Sequence, residues 1–135
     1  MLGRSLDRCR PLVPEVCLEP VTVLSVDDHP SFRAIAQVVL ESDGFAVVGT
    51  ASDGETGVAA ALELAPDILL LDVELPDIDG FVVAARLREA GSETAIVLAS
   101  SRDGSDFGSL VAESGARGFV TKAELTGDAI RALVA

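Results

Sequence analysis

The chain predicts an α/β fold, a doubly wound five-stranded parallel sheet in the order 2-1-3-4-5, on three observations. Its short apolar runs lack the apolar–polar alternation of half-exposed strands, so they suit strands covered on both faces. Stretches of helical period separate these runs throughout the chain, as parallel strands joined by crossovers require. Finally, Ile68-Leu69-Leu70-Leu71 ends abruptly on Asp72 and passes into the loop Leu75-Pro76-Asp77-Ile78-Asp79-Gly80. Ligands of open parallel sheets bind beyond the carboxyl ends of the strands, which is where Asp72 falls.

The elements follow in order. Val21 to Val26 is the first buried strand, and Asp27-Asp28-His29-Pro30 follows it. Pro30 suits the first turn of a helix, where its missing N–H is no loss. Phe32, Ile35, Ala36, Val39 and Leu40 then form one apolar stripe, which Ser42-Asp43-Gly44 closes. Phe45 to Ala51 is the second strand. Ser52-Asp53-Gly54-Glu55 opens a second helix with Val58, Ala61, Leu62 and Ala65 on its inner face, ended by Pro66. After the central strand, Phe81, Ala84, Ala85 and Leu87 mark a third helix, closed at Ala90-Gly91. Ala95 to Ala99 is the fourth strand, ending on Ser100-Ser101. Asp103 to Ser114 predicts a fourth helix weakened by Gly104, Gly108 and several serines. Gly118 to Thr121 is a short fifth strand ending at Lys122, and Thr126 to Ala135 is the last helix. Right-handed crossovers leave few topologies, and 2-1-3-4-5 puts the switch point between the first and third strands.

Length and charge narrow the function. At 135 residues the chain suits one domain with its own core. A net charge of −12 argues against nucleic acid or anionic lipid as direct partners, since both need a basic face. No apolar run approaches the roughly 18–20 residues of a membrane span, and the N-terminus lacks a signal peptide's apolar core. A cytoplasmic location is expected. Residues 1–20, broken by Pro11, Pro14 and Pro20, are expected to form a disordered or loosely attached tail before a domain spanning 21–135. Cys9 and Cys17 both lie in that tail and read as free thiols.

The strand order brings Asp27, Asp28 and Asp72 to adjacent strand ends, with Ser100 and Lys122 on the same side. Carboxylates so placed repel by several kcal/mol at an effective dielectric near 20, a cost that a hard divalent cation removes. Mg²⁺ is held by one or two carboxylates plus a phosphate and keeps several waters. With a lysine and a hydroxyl added, the set suits a tetrahedral anion held against a carboxylate nucleophile. Plainer roles exist for each residue. Asp28 or His29 fits a helix cap, Asp77 and Asp79 fit turn chemistry, and Asp79 also fits a cap for the third helix. Ser100 fits a loop, Lys122 a solvated surface and Phe119 the core.

In these elements the chain resembles the receiver (CheY-like) domain of bacterial two-component response regulators, a flavodoxin-like fold. The matching features are Asp27-Asp28, Asp72, the Leu75 to Gly80 loop, Ser100, and Gly118-Phe119-Val120-Thr121-Lys122, all within residues 21–135. The resemblance implies that Asp72 accepts a phosphoryl group from a sensor histidine kinase or phosphotransfer protein. Mg²⁺ would sit on Asp28, Asp72 and the backbone carbonyl of Glu74, with Asp27 helping through water. Ser100 and Lys122 would bind the phosphoryl oxygens, and Ser100 and Phe119 would form the switch. The face of fourth helix, fifth strand and fifth helix would then control a target protein or a homodimer. Such a module is not an enzyme beyond its own phosphorylation and dephosphorylation.

Three features depart from or vary within that pattern. Ala123 follows Lys122 where proline is usual, so a trans peptide or a strained loop is expected. The Asp-Asp-His-Pro start is common before DNA-binding outputs, yet the chain ends in its last helix and reads as a stand-alone receiver. Glu74 and Arg102, each two residues past a site residue, have opposite charges and are expected to pair over Asp72 and gate the hydrolytic water. Two alternatives stay open: a phosphorylation-independent adaptor, and a phosphatase using Asp72 as nucleophile with Glu74 as its acid.

Overall fold

The computed structural model describes residues 20–135, so the expected tail lies, apart from Pro20, outside the described residues. Strands β1 (Thr22–Val26), β2 (Ala46–Ala51), β3 (Ile68–Asp72), β4 (Ala95–Ser100) and β5 (Gly118–Thr121) form one parallel sheet. Their order is β2-β1-β3-β4-β5, as the sequence predicts. Helices α1 (Pro30–Ser42), α2 (Gly54–Leu64), α3 (Gly80–Glu89), α4 (Leu110–Glu113) and α5 (Gly127–Val134) connect them, with 3₁₀ turns at Gly104–Phe107 and Lys122–Glu124.

The unbroken apolar run of β3 is explained by burial on both sides. Leu69 and Leu71 join Leu24, Val26, Val83, Leu87 and Leu98 in one core cluster, while Ile68 and Leu70 join Val23, Leu40, Val97 and Ile130 in another. Successive side chains of a strand point to opposite faces, so a strand between two layers needs apolar residues at every position. Helix starts follow local chemistry. Asp53, Asp79 and Thr126 accept the N–H groups of Thr56, Val82 and Ala129 at 2.8, 2.9 and 3.0 Å, and Pro30 opens α1. Gly44, at φ +96°, ends the turn that follows α1.

The structure corrects three local expectations. Ile35 and Leu62, placed by periodicity on inner faces, are 58% and 48% exposed. Each sits one residue, about 100° around the axis, from the buried Ala36 or Ala61, which carries it past the edge of the packed stripe. The single helix expected over Asp103–Ser114 is broken into the 3₁₀ turn and the short α4. Gly108, at φ +57° and ψ −130°, takes a positive-φ conformation that no right-handed helix can continue through. Val21 and Phe45 fall just outside β1 and β2, and Phe45 is nonetheless buried. The Lys122–Ala123 peptide is trans, and the chain turns there in a 3₁₀ turn.

Candidate functional site

Strand register places the chemistry. Val26 lies beside Leu71 and Asp72 beside Ala99, so the residues after β1 and at the end of β3 share the sheet's carboxyl edge. Ser100 lies beside Thr121, which brings Lys122 to the same edge. Asp27, Asp72 and Ser100 are 1%, 3% and 0% exposed. Lys122 Nζ reaches between the acids, 2.6 Å from Asp27 Oδ2 and 3.3 Å from Asp72 Oδ2. It also lies 4.7 Å from the centre of the Phe32 ring, an apolar support for the ammonium. Among the described residues, one ligand atom each from Asp27, Asp28, His29 and Asp72 all lie within 4.8 Å of one another.

Two carboxylates, Asp27 and Asp72, therefore face one ammonium, with Asp28 close beside them. Burial pushes the Asp72 carboxyl above the ordinary carboxylate range, and the neighbouring Asp27 adds to the rise. The Glu74 N–H at 3.1 Å and Lys122 offset part of it. Desolvation works against the Lys122 ammonium too, but its hydrogen bond to Asp27 and the charge of Asp72 outweigh that and hold its pKa above the ordinary lysine value. The carboxylates among these donors are hard oxygens carrying surplus negative charge, which fits Mg²⁺.

The surrounding loops are fixed by backbone hydrogen bonds. The Val73 N–H donates to the Ala99 carbonyl at 3.0 Å, and the Val73 carbonyl accepts the Gly80 N–H at 2.8 Å. Glu74 leaves this clamp and its side chain meets Arg102 at 3.1 Å, both about half exposed. The expected pair is thus formed, and the Glu74 hydrogen bond and charge hold the Arg102 pKa above its ordinary value. Arg102 also lies over the Phe107 ring, 5.3 Å from its centre, and Phe107 packs against Phe119 at 5.8 Å between centres. Ser100 Oγ accepts the Arg102 N–H at 3.0 Å. Phe119 is only partly buried and lines a cavity of about 390 Å³ with Gly104, Thr121, Glu124 and Leu133, between β5, α5 and the turn after β4.

His29, readable as a surface or capping residue, is exposed and takes the cap position of α1, though its side chain caps nothing and lies 3.1 Å from both Asp27 and Asp28. Asp77, expected as turn chemistry, instead accepts the Gly54 and Glu55 N–H groups at 2.7 and 2.9 Å. Those groups lie 23 and 22 residues away, a distance no local motif spans. Asp79 is the α3 cap, as its turn position allowed.

Residues 23–134 match the family model described as the response regulator receiver domain. The nitrate/nitrite response regulator protein NarL of Escherichia coli K12 is 34% identical over 116 residues, 85% of this chain and 54% of that protein. A protein-glutamate methylesterase/protein-glutamine glutaminase of Anaeromyxobacter dehalogenans is 41% identical over 106 residues, 78% of this chain and 30% of that protein. The crystal structure of a LuxR-family two-component response regulator from Aurantimonas sp. SI85-9A1 superposes with a TM-score of 0.75 at 31% identity, covering 85% of each chain. The chain spans about half the length of the first curated relatives it matches, 49% and 53% for two of them and 54% for NarL. No helix among the described residues is long and apolar enough to cross a membrane.

Proposed function

The chain belongs to the response regulator receiver domain family, and on that premise we propose that Asp72 is the phosphoacceptor of a two-component phosphorelay. The observation that carries this reading is the convergence on Asp72 of Asp27, Asp28 and Lys122 at one sheet edge. An Asp72 carboxylate oxygen attacks the phosphorus of a phosphohistidine on a sensor kinase or phosphotransfer protein. A P–O bond forms, the P–N bond breaks, and the departing imidazole nitrogen takes up a proton. Asp28, Asp72 and the Glu74 carbonyl would hold Mg²⁺, with Asp27 assisting through water, and the ion would neutralise charge on the phosphoryl oxygens. Lys122 leaves its carboxylate partners to meet a phosphoryl oxygen, and Ser100 donates its hydroxyl proton to another.

Drawing Ser100 inward moves the loop that begins with Arg102 and frees Phe119 to change rotamer against Gly104 and Phe107. A population shift of the α4-β5-α5 face then controls a target protein or a homodimer. The ion pair of Glu74 and Arg102 screens the acyl phosphate from hydrolytic water. The chain's net charge of −12 favours a protein partner over nucleic acid or membrane, met in the cytoplasm. Labelling by a small phosphodonor with and without Mg²⁺, repeated on Asp72→Asn, tests the assignment. Mg²⁺-dependent labelling lost in the variant is expected. Intact Mg²⁺ binding without labelling would favour the adaptor, and turnover of a generic phosphate ester would favour the phosphatase.

A further inference from the structure

Resting on the metal reading above, we infer that Asp77 is a positioning residue, latching the loop that presents Glu74 onto the first turn of α2. The latch has two parts. The Asp77 carboxylate bridges the Gly54 and Glu55 N–H groups, while Asp53, the local cap, is occupied with Thr56. Beside it Ile78 lies against Gly54 so closely that a Cβ there would fall 2.3 Å from Ile78 Cγ1. Glycine at position 54 therefore admits the loop, and Asp77 fastens it.

The remainder of the loop transmits this anchorage. Leu75 packs on the core cluster beneath, and Pro76 fixes the backbone between Leu75 and Asp77. Val73 is held by hydrogen bonds on both its N–H and its carbonyl. Glu74 thus lies between a clamp at Val73 and a latch at Asp77, so its peptide group has little room to rotate. Arg86 ties α3 back to Glu55 at 2.9 Å, closing the same junction from the far side of the loop. The Asp77 carboxyl feels some desolvation, but its backbone N–H donors dominate and hold its pKa down to about 2, consistent with a firmly held carboxylate.

The test compares the whole chain with Asp77→Ala, Asp77→Asn and Thr126→Ala, the last removing a helix cap from α5 far from the loop. Mg²⁺ affinity is read by titrating amide chemical shifts, and loop order by amide hydrogen exchange in metal-free protein. Asp77→Ala should bind Mg²⁺ about tenfold more weakly, the usual consequence of losing a group that orients a ligand. It should also speed exchange at Gly54, Glu55 and the backbone from 74 to 78. Asp77→Asn, which keeps one acceptor oxygen, should recover part of both, and Thr126→Ala should leave both unchanged. Affinity in Asp77→Ala within twofold of wild type, or a loss matched by Thr126→Ala, overturns the inference. Wild-type protein that binds no Mg²⁺ overturns the metal reading, and this inference with it; wild type that binds while Asp77→Ala binds equally well sinks this inference alone.

Discussion

Asp72→Asn should raise the thermal stability of the metal-free protein while removing its proposed phosphoacceptor. The Asp27 and Asp28 ligand atoms lie within 4.8 Å of that of Asp72. At this spacing each carboxylate repels the Asp72 charge by roughly 3.5 kcal/mol at an effective dielectric near 20. Lys122 at 3.3 Å returns roughly 5 kcal/mol of attraction. The balance is unfavourable by about 2 kcal/mol, and by about 1 kcal/mol once salt and the partial exposure of Asp28 are allowed for. Lys122 retains Asp27 in the variant, so the substitution strands no charge. A rise in Tm of about 3–6 °C follows for a domain of this size.

The raised Asp72 pKa fixes the pH dependence. Below the ordinary carboxylate range Asp72 is protonated in both folded and unfolded chains, and the variant has no advantage. As pH rises through the folded-state pKa the wild type loses stability relative to the variant, and the gap opens. Mg²⁺ should reverse the order, since a ligand at a hundred times its Kd adds about 2.7 kcal/mol to a protein that binds it. Melting curves in chelator at pH 3.5, 5 and 7, then with Mg²⁺, test all of this. A variant melting at or below wild type at pH 7 in chelator would refute the electrostatic reasoning, as would a gap independent of pH.

Gly80→Ala pits two effects against each other. Alanine in a helix is favoured over glycine by about 1 kcal/mol, but here its Cβ would fall 2.6 Å from the Asp72 carbonyl oxygen, a backbone atom that cannot rotate away. Strain wins, and a loss of about 1–3 kcal/mol in urea unfolding with impaired labelling of Asp72 is expected. Leu70→Ala, emptying a position 2% exposed in β3, should cost about 2–5 kcal/mol with an unchanged m-value. Glu74→Ala and Arg102→Ala should barely move Tm, since exposed pairs contribute about 0–1 kcal/mol. Their acyl phosphates should decay faster, by roughly threefold; unchanged half-lives in both would end the gating idea.

The strand order was readable because β3 has no polar position until Asp72, which only a doubly covered strand tolerates. From that order the meeting of Asp27, Asp72 and Lys122 follows by register alone. The pairing of Glu74 with Arg102 was also readable, since equal offsets from neighbouring strand ends put opposite charges on facing loops. Helix faces were less so. Periodicity identifies a stripe but not its width, and Ile35 and Leu62 fall beyond the width that the sheet covers. The break at Gly108 was readable only as low propensity, because a glycine's sign of φ is set by the path of the chain on either side.

Asp72 and Asp77 show where such reading stops. They are the same residue type, five positions apart in one loop region, and their carboxyls are driven in opposite directions. Asp72 ends a strand between two core layers, so it is desolvated, receives one backbone N–H and faces another carboxylate. Asp77 stands in solvent and receives the N–H groups of α2. The first carboxylate is disfavoured in its charged form and relieved by a cation or by protonation. The second is most stable as an anion and would gain nothing from either. Local sequence marks both as acids near a turn. What divides them is the approach of α2, set by Gly54 and Ile78, and that contact exists only once the crossover between β2 and β3 has folded back on the sheet. On the proposed roles, the site keeps its phosphoacceptor carboxylate destabilised and its loop-anchoring carboxylate satisfied, and the β3–α3 loop is the short piece of chain that holds the two apart.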